Sequence, residues 1–113
     1  MDFLGILKII AALGTVATGL LAFFKPDAAY GFTGLTANGV RGVSEMRSIF
    51  GGLFIALGLL PFFLGEPAYL VLGYSYLGIA VARAISIVID KSYAQSNLIS
   101  LVVEIVFGVI LIL

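Results

Sequence analysis

The stretch AYLVLGYSYLGIAVARAISIVI, from Ala68 to Ile89, runs for 22 residues with a single charge, Arg83. A helix that crosses a bilayer needs about 20 mainly apolar residues, within a range of roughly 17–25. The stretch meets that requirement, and three further runs do so on either side of it. Leu4 to Phe24 carries only Lys8. Glu45 to Leu64 opens on Glu45 and Arg47 and holds Pro61 near its far end, where a proline kinks or terminates a helix. Its helix can start earlier, because Asn38-Gly39 is a cap-and-turn signal. Ser96 to Leu113 carries only Glu104. The expected fold is all-α: one domain over residues 1–113, built as an antiparallel bundle of four transmembrane helices. The turn Gly65-Glu66-Pro67 is so short that the second and third helices must be antiparallel neighbours.

Composition agrees. Of 113 residues, 62% are hydrophobic and 11% charged, against roughly 45–50% and 25% in soluble domains. The mean hydropathy is +1.23. A water-soluble four-helix bundle is excluded because these helices lack polar faces. No basic region precedes the first apolar run and no small-residue cleavage site closes it, so that run is expected to be a retained span. There is no Cys and no His. Their absence removes thiol chemistry, cysteine-ligated clusters, the commonest general base and most zinc sites. Six basic and six acidic residues cancel, and no basic block points to nucleic acid.

Four crossings put both ends and the Gly65–Pro67 turn on one side, and the two longer connections on the other. The second side carries Lys25, Arg41, Arg47 and Lys91, the first at most Lys8. The positive-inside rule therefore places the longer connections in the cytoplasm and both termini outside. Within the spans, small residues recur at packing distance: Ala11, Thr15 and Gly19; Gly52 and Ala56; Gly78, Ala82 and Ser86. Such rows let membrane helices approach closely, inside one bundle or between subunits.

The intramembrane charges carry the functional content, since each is costly and by default marks a site. Arg83 lies seven residues before Asp90, and Glu104 six residues after Leu98. At the helical rise these are depths of about 10 and about 9 Å below the same surface. Glu45 and Arg47 open the second span on that side. Ser100, Glu104 and Gly108 share one helix face; Arg83 shares another with Tyr76, Ile79, Ser86 and Asp90. The expected pairing is Arg83 with Glu104, with Arg47 near Glu45 or Glu104. The four residues Glu45, Arg47, Arg83 and Glu104 form either a structural ion-pair clasp that sets helix order or a polar pocket for an anionic head group or small molecule. Lys8, on the opposite side, is expected to snorkel to the interface. Pro26, followed by Ala28, Ala29, Tyr30 and Phe32, suggests a short interfacial helix that could lid the cluster.

Glu45-Met46-Arg47-Ser48-Ile49-Phe50-Gly51-Gly52 resembles the E-x-R-x-x-[YF]-G-G start of the second helix in a bacterial family of small four-helix membrane proteins of unknown function, distantly DoxX-like. Ala82-Arg83-Ala84-Ile85-Ser86, Asp90, Glu104 and Gly108 also resemble recurring positions of that family, and the likeness spans nearly the whole chain. The family often has Gly after the acid that ends the third helix, where this chain has Lys91. The resemblance implies the fold and no established activity. DoxX-like relatives are linked to redox and quinone-associated membrane systems, yet a chain without cysteine cannot do thiol chemistry.

The leading expectation is a non-catalytic accessory or structural subunit of the membrane, in a bacterial inner membrane. Its partners are the lipid bilayer and a larger membrane complex or a second copy, with no nucleic acid and no cofactor. The alternative is a lipid, quinone or small-anion binding protein or carrier using Arg83, Glu104, Glu45 and Arg47. An enzyme ranks last, because two scattered carboxylates supply neither a nucleophile–base pair nor a metal centre.

Overall fold

In the computed structural model, which describes residues 2–113, the chain is almost entirely helical, with no strand among the described residues. Helix α1 spans Phe3–Phe24, started by Asp2, whose Oδ1 accepts from the Gly5 N–H at 2.7 Å. Pro26–Ala29 forms a single 3-10 turn that runs into the short helix α2, Tyr30–Thr33. Helix α3 runs over Gly39–Leu64, α4 over Glu66–Asp90 and α5 over Gln95–Ile112. All four of the longer helices are long and apolar enough to cross a membrane.

The second span begins at Gly39, six residues before Glu45. Asn38 stands at the cap position with extended backbone but makes no side-chain cap bond. Pro61 does not terminate α3, which continues to Leu64. Pro61 has no N–H for the carbonyl four residues before it, so α3 carries one missing ladder bond there without ending. Gly65 makes the reversal into α4 with φ 74° and ψ −145°, a combination open to glycine. At the other end of α4, Lys91 adopts the left-handed conformation at φ 53° while its N–H bonds Ile87 C=O. This is the position at which a helix usually places glycine, and it accounts in physical terms for the glycine expected there.

The bundle is assembled from two tight pairs, α1 with α3 and α4 with α5. A Cβ on Gly19 would sit 2.7 Å from Gly51 O, and one on Gly58 would sit 2.8 Å from Ala12 O. Between α4 and α5, a Cβ on Gly73 would lie 3.1 Å from Gly108 O. Only glycine permits backbones this close, and in lipid such contact takes over the role that water exclusion plays elsewhere. Between Met46 and Leu53, α3 widens into a π-helical segment. Gly51 and Gly58, seven residues apart, face α1, while Gly52 and Ala56 are exposed. The two pairs meet on a core of Ala11, Ala12, Leu72 and Leu111, with Leu57, Tyr69, Tyr76 and Phe107 against it.

Candidate functional site: an intramembrane ion pair in a polar seam

Buried and half-buried polar residues recur at intervals of seven: Lys8 and Thr15 on α1, Tyr69, Tyr76 and Arg83 on α4, Asn97 and Glu104 on α5. Seven residues are close to two helical turns, so each set keeps one face of its helix. Because α1 and α4 run parallel, the two sets advance together. Lys8 Nζ donates to Glu66 Oε1 at 2.6 Å and stands 5.9 Å from the centre of the Tyr69 ring. One step deeper, Thr15 and Tyr76 are hydrogen-bonded. Thr15 spends its only proton on Ala11 C=O at 2.9 Å, so the Tyr76 phenol must donate to Thr15 Oγ1. Tyr76 is also held edge-on by Phe107, with ring centres 5.6 Å apart. A cleft of about 20 Å³ beside Thr15, Ser75 and Tyr76 has room for one water-sized group.

At the third step α1 carries the buried Ala22, and Arg83 turns to α5. Its Nε donates to Glu104 Oε1 at 2.8 Å and its Nη2 to Glu104 Oε2 at 2.7 Å. This is the bidentate fork that carboxylate and guanidinium geometry favour. Nη1 donates to Asn97 Oδ1 at 2.7 Å, and Asn97 in turn donates to Ser92 O and Ser92 Oγ. Glu104 is 7% exposed, and the Arg83 side chain is 30% exposed. Three of the five guanidinium N–H groups are committed and two are not. The short helix Tyr30–Thr33 packs against α5.

Of the four charged residues singled out in the sequence, the structure brings together Arg83 and Glu104 and leaves the other two apart. Glu45 pairs with Arg41 one turn earlier on α3, both side chains exposed. Arg47 lies over the Phe23 ring of α1, 5.9 Å from its centre. Among the described residues no hydrogen bond or ion pair joins Glu45 or Arg47 to Arg83 or Glu104. The start of α3 at Gly39 explains this, because it puts Arg41 on the helix at the i−4 position of Glu45. Lys8 stands at the other end of the bundle, 7% exposed, with its ammonium bound to Glu66. Asn97 was not foreseen as part of the site. Its signal in the sequence was its spacing of seven from Glu104. No group of three or more Asp or Glu residues that could hold a metal ion forms among the described residues.

Fold and site together define a small polytopic membrane protein whose buried charges are neutralised across helices. The family model described as "Domain of unknown function (DUF4345)" matches residues 3–113, and the chain belongs to that family. No curated protein and no solved structure matches it.

Proposed function

We propose that the protein is a non-catalytic accessory or structural subunit that packs against a larger membrane complex. The reading is supported above all by one observation. Gly78 and Ala82 on α4 lie exposed, with nothing within 4 Å of a Cβ at Gly78. The bundle uses glycine for close approach in both of its helix pairs, and this exposed pair of small residues has no helix against it. The self-contained bonding of Arg83, Glu104, Asn97 and Ser92 fits a clasp that keeps the four helices in order. Purification in a mild detergent that preserves complexes is expected to bring down a second membrane protein, and Gly78→Leu with Ala82→Leu to release it. A lone monomer throughout would overturn the proposal.

A second reading, binding of a lipid, quinone or small anion, is favoured by the two uncommitted N–H groups and partial exposure of Arg83. Its residues are then Arg83, Glu104 and Asn97, with Glu45 and Arg47 outside it. A ligand retained by the native protein and lost in Arg83→Lys, which keeps the charge but not the fork, is the expected result. Retention equal in both sinks it. The proposal extends to a bacterial inner membrane, to a distant DoxX-like kinship supported by the Glu45–Gly52 motif, and to cytoplasmic longer connections, supported by Lys25, Arg41, Arg47 and Lys91.

A further inference from the structure

Three of the six cationic side chains end on a carboxylate: Lys8 on Glu66, Arg41 on Glu45 and Arg83 on Glu104. Lys25, Arg47 and Lys91 form no ion pair among the described residues. Of these three, only Arg47 lies within a helix, in the π-helical segment of α3. Its side chain is exposed and lies over Phe23 of α1, the guanidinium carbon 5.9 Å from the ring centre. Among the described residues no acceptor takes any of its five N–H groups.

Packing fixes its depth. A Cβ on Gly51 would sit 3.2 Å from the Phe23 Cα, so these two residues are level. Arg47 precedes Gly51 by about one turn, and the antiparallel α1 ends at Phe24. Arg47 therefore stands where the spans end and hydrocarbon gives way to head groups. Lys25 follows Phe24 directly at the same end, as the residue that closes α1. Below them Phe23, Phe24 and Ile49 are exposed and apolar.

An arginine at this boundary needs an anion for its donors, and the protein gives it only a ring. The local charge is positive: Lys25, Arg41 and Arg47 stand against Asp27 and Glu45, and Glu45 is held by Arg41. The Phe23 face that would receive a lipid ammonium is already covered by Arg47. A phosphodiester without an ammonium suits both facts, because guanidinium binds phosphate through two parallel N–H bonds.

We propose that Arg47 and Lys25 bind the phosphodiester of an anionic phospholipid at the α1–α3 edge of the bundle. Arg47 supplies the fork, Phe23 holds the guanidinium at head-group height, and Lys25 adds the second charge. The acyl chains run down over Phe23, Phe24 and Ile49. The site is separate from the Arg83–Glu104 pair and does not depend on any docked protein.

Native mass spectrometry of the detergent-purified protein, given equal amounts of acyl-matched phosphatidylglycerol and phosphatidylcholine, tests this. Phosphatidylglycerol should be retained with a preference of about fivefold or more, a juxtamembrane cation being worth roughly that factor. Arg47→Gln should remove most of the preference, and Arg47→Lys should restore only part of it, because the charge returns without the fork. Lys25→Gln should weaken it, whereas Lys91→Gln, which removes a cation on α4's side of the same end, should leave it unchanged. Inorganic phosphate at the same concentration should not displace the lipid. Equal retention of both lipids, a preference unchanged in folded Arg47→Gln, or an equal loss in Lys91→Gln overturns the proposal; displacement by phosphate overturns its assignment to lipid.

Discussion

At the scale of single residues, the Arg83–Glu104 fork dominates the energetics. Removing one partner strands the other charge in a low-dielectric core, a loss on the order of 3–5 kcal/mol for a buried pair. Glu104→Ala is therefore expected to lower stability by about 3 kcal/mol, at the low end because Arg83 is 30% exposed and water can reach it. Arg83→Ala with Glu104→Ala should recover part of that loss, since no charge is left unpaired. Reversible unfolding in mixed micelles gives both values, and equal damage from single and double variants would refute the pairing. Lys91→Gly should raise stability by about 0.5–1 kcal/mol in the same assay, because the left-handed position costs a residue with a Cβ and not glycine. The fork was legible beforehand, because depth alone put the two charges level. Lys8 with Glu66 was not, because Glu66 read as a turn residue when it is the first residue of α4.

At the scale of elements, glycine separates contacts the bundle needs from a surface it does not use. Gly58→Leu would drive side-chain atoms into Ala12 O and Val16, and overpacking of this kind costs about 1–3 kcal/mol or more. Gly78→Leu meets open space and should leave the melting temperature of the isolated protein within about 2 °C, a surface substitution being usually within ±0.5 kcal/mol. Thermal melts followed by circular dichroism distinguish the two. The first row of small residues was read correctly from its spacing: Ala11, Thr15 and Gly19 are all buried on α1. On α3 the residues that meet α1 are Gly51 and Gly58, while Gly52 and Ala56 lie exposed. Spacing groups residues on one helix face but does not say which face meets a neighbour.

At the scale of the whole molecule, the Cα positions span 43 × 31 × 17 Å. A thickness of 17 Å is about two helices at their packing distance of 8–10 Å, so every span keeps a broad face outward. Topology can be tested directly because the chain contains no cysteine. Phe3→Cys and Tyr93→Cys, both at exposed positions, should label from opposite sides of a sealed vesicle, with Tyr93→Cys on the cytoplasmic side. Labelling from the same side would contradict the four-crossing arrangement, and reversed sides would contradict the assignment of the cytoplasm. Length and hydropathy by themselves determined that there are four spans and that Arg83 needs a carboxylate at its own depth, because bilayer thickness and the helical rise turn sequence position into depth. Only the tertiary structure decided which helices pair closely, that Glu45 answers Arg41, and that Lys8 is buried against Glu66. Those outcomes depend on rotation about each helix axis, and a polar group reaching across helices is fixed by its neighbours rather than by its own place in the chain.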